Sequence, residues 1–427
     1  MKPVYLWRDS IDQGADRVAG KYNPFRPDKT APPGMFAGRL EEIRYIQGCL
    51  RQTKNGNPKH FLLTGERGIG KSSLFLVEQL SARGRIKAQN GEEFNFLVLN
   101  VKLRKEDTFV DIITRVSRSL KKESEKLDIL GSLILKSFEF ISRIEAGGIR
   151  IHPSAESQQQ NECFNSLMDD LEETVHKIDG LLDGILILID EADAPPAESN
   201  LGLFCKLLTE EMAVRETDYV CLGLAGLPHI SSRLRGSHES SIRIFHTLDL
   251  KPLEAGERRQ VIRLGLDDAN GKNPTEVRID AEAEGLICDF SEGYPHFLQE
   301  FAYCAFERDV DNNIDVNDFL DSLFSENGAF DQLGAKYFKK PYKAPGSDDY
   351  RQVLHIMADK LDGWISRKEI IENSGLKGGT VDNALRALKA KDIIVQDETR
   401  QGYYRLPTRS FATWINIQKK ASEAETA

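Results

Sequence analysis

Four short apolar runs mark the first half of the chain: HFLLTG from position 60, FNFLVLNV from 94, GILILID from 184 and DYVCLGLAG from 218. Each is a short apolar run of strand length. Between them lie stretches such as LEEIRYIQGCL, at 40–50, whose apolar residues recur at helical spacing. Strands that are apolar on both faces need cover on both. The alternation therefore predicts an α/β fold, a parallel sheet with helices on either side, spanning about residues 36–250.

Other segments break this rhythm. Residues 1–35 are polar and irregular and end in NPFRPDKTAPPGM, whose prolines predict an extended arm. Residues 121–183 read as an insert, with LDILGSLILKSFEFISRI helical or mixed, EAGGIRIHPS a turn with a short strand, and ESQQQNECFNSLMDDLEETVHKI a polar helix with an apolar stripe. From Lys251 to about residue 340 the spacing is helical, and KKPYKAPGSDD reads as a linker.

Residues 350–420 have the pattern of a winged helix. RQVLHIMADKL, RKEIIENSG and TVDNALRALKAK predict three helices, and DIIVQDETRQGYYRLP a two-stranded wing. In the third helix Val381, Ala384, Leu385 and Leu388 form one apolar face. Asp382, Asn383, Arg386 and Lys389 then point outward, where a recognition helix meets the major groove, with Arg400 on the wing. The same face serves equally for docking a protein, and Asp382 would repel phosphate.

Charge sharpens that picture. The chain carries a net charge of −10, which argues against a uniformly basic nucleic-acid-binding protein. Residues 350–420 alone carry +5, so a double-stranded DNA surface is expected there. At 427 residues the length suggests roughly three domains. Cys49, Cys163, Cys205, Cys221, Cys288 and Cys304 form no CxxC pair and lie among apolar neighbours, as small core residues of a reducing compartment do. With no signal-peptide pattern, and with ILILI the longest strongly apolar run, the expectation is a cytoplasmic protein without a membrane partner.

The chemistry centres on TGERGIGKSS, residues 64–73. Gly65, Glu66, Arg67, Gly68, Ile69, Gly70, Lys71 and Ser72 match GxxxxGK followed by Ser or Thr, between a predicted strand and a predicted helix that takes in Ser73. Glycines let successive N–H groups turn inward and cradle phosphates at a helix N-terminus. Lys71 supplies a cation to the β and γ phosphates, and the Ser72 hydroxyl a magnesium ligand. GILILIDEAD, at 184–193, ends an apolar strand in carboxylates. Asp190 is expected in the Mg2+ shell and Glu191 beside the attacking water, while Asp193 is assigned to the turn before Ala194-Pro195-Pro196. ATP and Mg2+ are thus the expected ligands.

Together these motifs resemble the AAA+ ATPases, in the branch of archaeal origin-recognition initiators, transposition and secretion ATPases and STAND signalling ATPases. PGMFAGRLEEI (33–43) resembles the FxGRxxE segment beside the adenine, which implies that role for Phe36, Gly38 and Arg39. LGLAGLPHI (222–230) resembles the sensor-1 strand, RIFHTLDLKPLEAGE (243–257) the turn into a helical lid, and SEGYPHFLQEFA (291–302) the GxPxxLQ stretch of that lid, with Pro295 at the base. The chain departs from the pattern where Gly223, Ala225 and Gly226 replace a sensor-1 asparagine and His296 a sensor-2 arginine. Both changes point to slow turnover. The branch usually completes its site with an arginine from a neighbouring subunit, for which Arg233, Arg235 and Arg243 are candidates and which implies a homo-oligomer. The expected function is an ATP-driven switch coupling nucleotide state to DNA binding or assembly; the alternative is a STAND-like signalling or defence ATPase whose winged helix docks a protein partner.

Overall fold

Apolar runs and helical stretches fold as their patterns require in a computed structural model that describes residues 21–127, 136, 137, 139, 142, 156–344, 347–361, 363–397 and 399–426. The described chain forms two compact units. One is Asp28–Glu257 with Gly293–His296; the other comprises 21–27, Arg258–Glu292 and 297–426.

The first unit is a five-stranded parallel sheet. Its strands are β1 (His60–Thr64), β2 (Phe96–Lys102), β3 (Gly184–Asp190), β4 (Val220–Gly226) and β5 (Phe245–Asp249), in the spatial order β2-β3-β4-β1-β5. All pairings are parallel, including Phe61 opposite Gly223 and Lys102 opposite Asp190. Successive side chains alternate between the faces. Leu62, Leu99, Ile187 and Leu222 join a buried cluster with α3 (Phe109–Ser124), α4 (Glu156–Ile178) and α5 (Leu201–Val214). On the opposite face Phe61 meets Phe75 of α2 (Lys71–Ala82) edge to face at 6.2 Å.

The four expected strands are present, and β5 adds a fifth within the stretch read as the turn into the lid. Phe245 is buried there while His246 and Thr247 are exposed, an edge-strand pattern with too little apolar content to stand out. Of the insert, α4 matches its helical reading, whereas EAGGIRIHPS and most of LDILGSLILKSFEFISRI lie outside the described residues. All six cysteines are buried free thiols, and burial pushes Cys163 up to about 12.

The second unit begins with residues 21–27, which run extended along helices. Tyr22 donates its N–H to Asn273 Oδ1 at 2.7 Å and its hydroxyl to Asp268 Oδ2 at 2.9 Å, and Lys21 pairs with buried Asp309 at 2.6 Å. KKPYK, expected in a linker, is instead helical over Lys339–Lys343, after a π turn at Gly334–Phe338. Pro341 gives the ladder no N–H, and the wider turn ahead of it accommodates the loss. Packing holds the segment: the Phe338 ring lies 5.2 Å from Phe411 and 6.0 Å from Trp414.

The winged-helix pattern is realised in full. Helices Asp348–Ala358, Arg367–Ser374 and Gly378–Ala390 enclose Val353, Ile370, Val381, Leu385 and Leu388, all buried. Val395–Gln396 and Tyr403–Arg405 form the antiparallel wing, and Ile365–Ser366 adds a third short strand. Ser366 and Glu369 cap the second helix reciprocally.

Candidate nucleotide site and its surroundings

At the C-terminal end of β1 the chain turns through residues 65–70 into α2, the crevice position where parallel sheets bind ligands. Gly68 and Gly70 have φ of +82° and +101°, conformations that side-chain-bearing residues rarely adopt. The loop is thereby wound so that α2 begins at Lys71 and its free N–H groups face the loop. Lys71 Nζ donates to the carbonyls of Gly65 at 2.6 Å and Glu66 at 2.9 Å. Burial lowers its pKa, opposed by the nearby Asp193 and Asp190 carboxylates.

The two motif halves meet where Ser72 Oγ donates to Asp190 Oδ2 at 2.7 Å. These are adjacent hard oxygen donors, the ligand type that magnesium prefers. Glu191 follows in the left-handed region at φ +53°, a strained conformation of the kind found at functional sites, and its N–H donates to Asp190 Oδ1 at 2.8 Å. Its carboxylate pairs with Lys102 at 2.9 Å; the two side chains are 52% and 67% exposed, so the pair is weakly held.

Other segments brace the loop. Arg39 is buried at φ +61° and donates to Ile69 O at 3.2 Å; burial lowers its pKa, with Glu42 and Glu257 opposing. A side chain at Gly38 would collide with the Glu257 carboxylate. Phe36 is half-buried at the end of the 3-10 turn Pro33–Met35. From Gly293–His296, Tyr294 donates its hydroxyl to Glu66 Oε2 at 2.6 Å, the His296 N–H reaches Gly68 O at 3.3 Å, and Pro295 Cγ would lie 3.6 Å from a Cβ on Gly70. Ser73 Oγ accepts from Ala31 N at 3.2 Å.

Three participants escaped the sequence reading. Lys102 reaches Glu191 only through the β2–β3 register. Tyr294 closes on Glu66 from a segment distant in sequence. Asp193 does shape the turn, accepting from Leu227 N at 2.8 Å, but it also stands in the field of Lys71. β4, which resembles a sensor-1 strand in sequence, is bare of polar side chains at Gly223 and Gly226 for a steric reason. A Cβ on Gly223 would run into the Phe61 ring and Leu188, and one on Gly226 would come 3.0 Å from Asp193 Oδ1.

The candidate finger arginines separate. Arg233 donates within the chain to Pro195 O at 2.7 Å and also to Asp193 O, whereas Arg235 and Arg243 are exposed. On the winged helix Asn383, Arg386 and Lys389 are exposed as expected. Asp382 is engaged by Arg367 through two hydrogen bonds of 2.6 and 2.9 Å, which offsets the repulsion expected of it. Arg400 pairs with Asp397 at 2.7 Å and lies over the rings of Tyr403 and Trp364 at 4.8 and 5.7 Å. Thr399 and Arg400 keep the Asp397 carboxyl well below the usual range.

Residues 35–221, which contain the phosphate loop and the acidic strand end, match the AAA ATPase domain family. Over this segment, somewhat less than half of the chain, the sequence is similar to AAA ATPase domains. No curated protein matches the sequence. Two solved structures share the fold beyond the matched segment. A Walker-type ATPase of Pyrococcus abyssi has a TM-score of 0.56 at 16% identity, over 89% of this chain and 96% of its own. The Aeropyrum pernix ORC2 protein, in its ADPNP–ADP complexes, has a TM-score of 0.54 at 13% identity, over 94% and 98%. At such identities the likeness to these ATPases is one of fold. Among the described residues no helix is long and apolar enough to cross a membrane.

Proposed function

We propose that the AAA ATPase domain binds and hydrolyses ATP and that its nucleotide state governs DNA binding by the winged helix. The observation that carries the first half is the meeting of Ser72, Asp190 and Glu191 beside the Lys71 loop. Lys71 exchanges its two carbonyl partners for phosphate oxygens, and the loop N–H groups share the remaining charge. Ser72 and Asp190 hold Mg2+, which when bound neutralises charge on the phosphates. Glu191 orients the attacking water and accepts its proton. Phe36, Gly38, Arg39 and Pro295 border the base. A β4 strand without a polar side chain at Gly223 leaves the γ phosphate thinly sensed, which suits a slow switch.

The DNA half rests on the exposed Asn383, Arg386 and Lys389, flanked by Arg400 on its aromatic platform, with Asp382 neutralised by Arg367. Steady-state hydrolysis by wild type and Glu191→Gln, with and without duplex DNA at two salt concentrations, tests both halves. Stimulation that fades with salt and vanishes in the variant is expected. A nucleotide-binding protein whose Glu191→Gln variant hydrolyses at the wild-type rate would defeat the first half. A rate indifferent to DNA would defeat the second and favour a STAND-like switch docking a protein, a reading supported by the packing of Tyr294 and Pro295 on the phosphate loop.

A further inference from the structure

A cavity of about 800 Å3 opens at the β2 edge of the sheet, walled by the end of β2, the loop that follows it and α3. Eight lysines and arginines line it against two glutamates, on a chain whose net charge is −10. Both glutamates are already engaged. Glu123 takes Arg83 at 3.0 Å and Lys126 at 2.7 Å, and Glu191 takes Lys102. Arg115 has its own partner in Asp107, at 2.6 Å. Arg104, Lys105 and Lys122 are exposed on the cavity wall, and their side chains have no carboxylate partner among the described residues.

Positive charges gathered around one concavity repel each other and focus a field that raises the local concentration of anions. Among the described residues that line the cavity, two glutamates are too few to offset this field. The volume falls within the range of small-molecule sites, in a concavity that is half open to solvent. Arg104 offers a planar fork suited to paired phosphate oxygens, and Lys105 and Lys122 offer mobile point charges. None of the three belongs to the nucleotide loop. We propose that this cavity is a second anion site that takes a multiply phosphorylated ligand, either a free polyphosphate compound or a run of phosphates on a nucleic-acid backbone.

The test is isothermal titration of the full chain carrying Lys71→Ala, which removes the principal phosphate cation of the nucleotide loop. Inorganic tripolyphosphate is one probe and a single-stranded oligonucleotide the other. The same titrations are run with Arg104→Gln, Lys105→Gln and Lys122→Gln added together. Saturable binding of tripolyphosphate that weakens about tenfold or more in the combined variant supports the site and assigns it to small anions. Binding of the oligonucleotide alone, weakened to the same degree, supports the site and assigns it to nucleic-acid phosphates. Absence of binding by either probe, or binding that the three substitutions leave unchanged, overturns the proposal. Should the combined variant lose its fold, the three single substitutions provide the same comparison, because none of those side chains has a carboxylate partner among the described residues.

Discussion

Glu78 is the one carboxyl of α2. It is fully buried, and neither oxygen has a hydrogen-bond partner among the described residues. Burial raises its pKa well above the ordinary carboxylate value. Below that ordinary value the folded and unfolded chains both carry the proton. As pH rises past it, the unfolded chain releases the proton while the folded chain retains it, so stability falls by up to about 1.4 kcal/mol per pH unit until the folded pKa is reached. A Glu78→Gln variant is uncharged throughout, and its stability relative to wild type should increase from pH 5 to pH 7 in urea unfolding. Equal pH slopes would mean that Glu78 is ionised in the fold. Lys71, Ser72, Asp190 and Glu191 could be read from the sequence because the phosphate loop and the strand end are local backbone devices, each written in a few adjacent residues. Lys102 could not, since its role exists only once Lys102 and Asp190 are in register across two strands. Nothing local in the sequence separates Glu78 from the polar positions of an ordinary amphipathic helix.

The strands β1 to β4 were legible because each carries at least four consecutive buried positions and so a continuous apolar run, whereas in β5 only Phe245 is fully buried. KKPYK misled for a related reason: proline signals a break, and the packing of Phe338 on Phe411 and Trp414 that overrides the signal involves residues about seventy positions apart. The bareness of β4 also belongs to this scale. Gly223 faces Phe61 in the neighbouring strand, and a Cβ there would meet both the Phe61 ring and Leu188. Gly223→Ala should therefore destabilise the fold by ~1–3 kcal/mol through overpacking, measured as a lower denaturant midpoint with unchanged slope. Combining it with Phe61→Leu, which vacates space on the same face, should recover part of the loss. An unaltered midpoint for Gly223→Ala alone would mean that β4 has room for a polar side chain, and the steric account of its bareness would fail.

For the whole molecule the open question is whether one copy completes the site of another. Arg233 is occupied at home by the carbonyls of Asp193 and Pro195, so its loss acts inside the chain. Arg233→Ala should cost about 1–3 kcal/mol of stability, because two partly buried carbonyl acceptors lose a charged donor, and should leave any dependence of activity on protein concentration intact. Arg235 and Arg243 are exposed and available to a neighbour. If either stabilises phosphoryl charge in trans, hydrolysis per chain rises with protein concentration and levels off once assembly is complete. The substitution of that arginine by alanine then flattens the rise while leaving the activity of the dilute protein and its thermal midpoint unchanged. Mixing this variant with Glu191→Gln gives the decisive comparison. Each is defective alone, but in a mixed assembly the Glu191→Gln chain lends its arginine to a neighbour whose Glu191 is intact, and activity should return above the sum of the two. A rate per chain that is constant across the assembly range, with no recovery on mixing, would make the site complete within one copy.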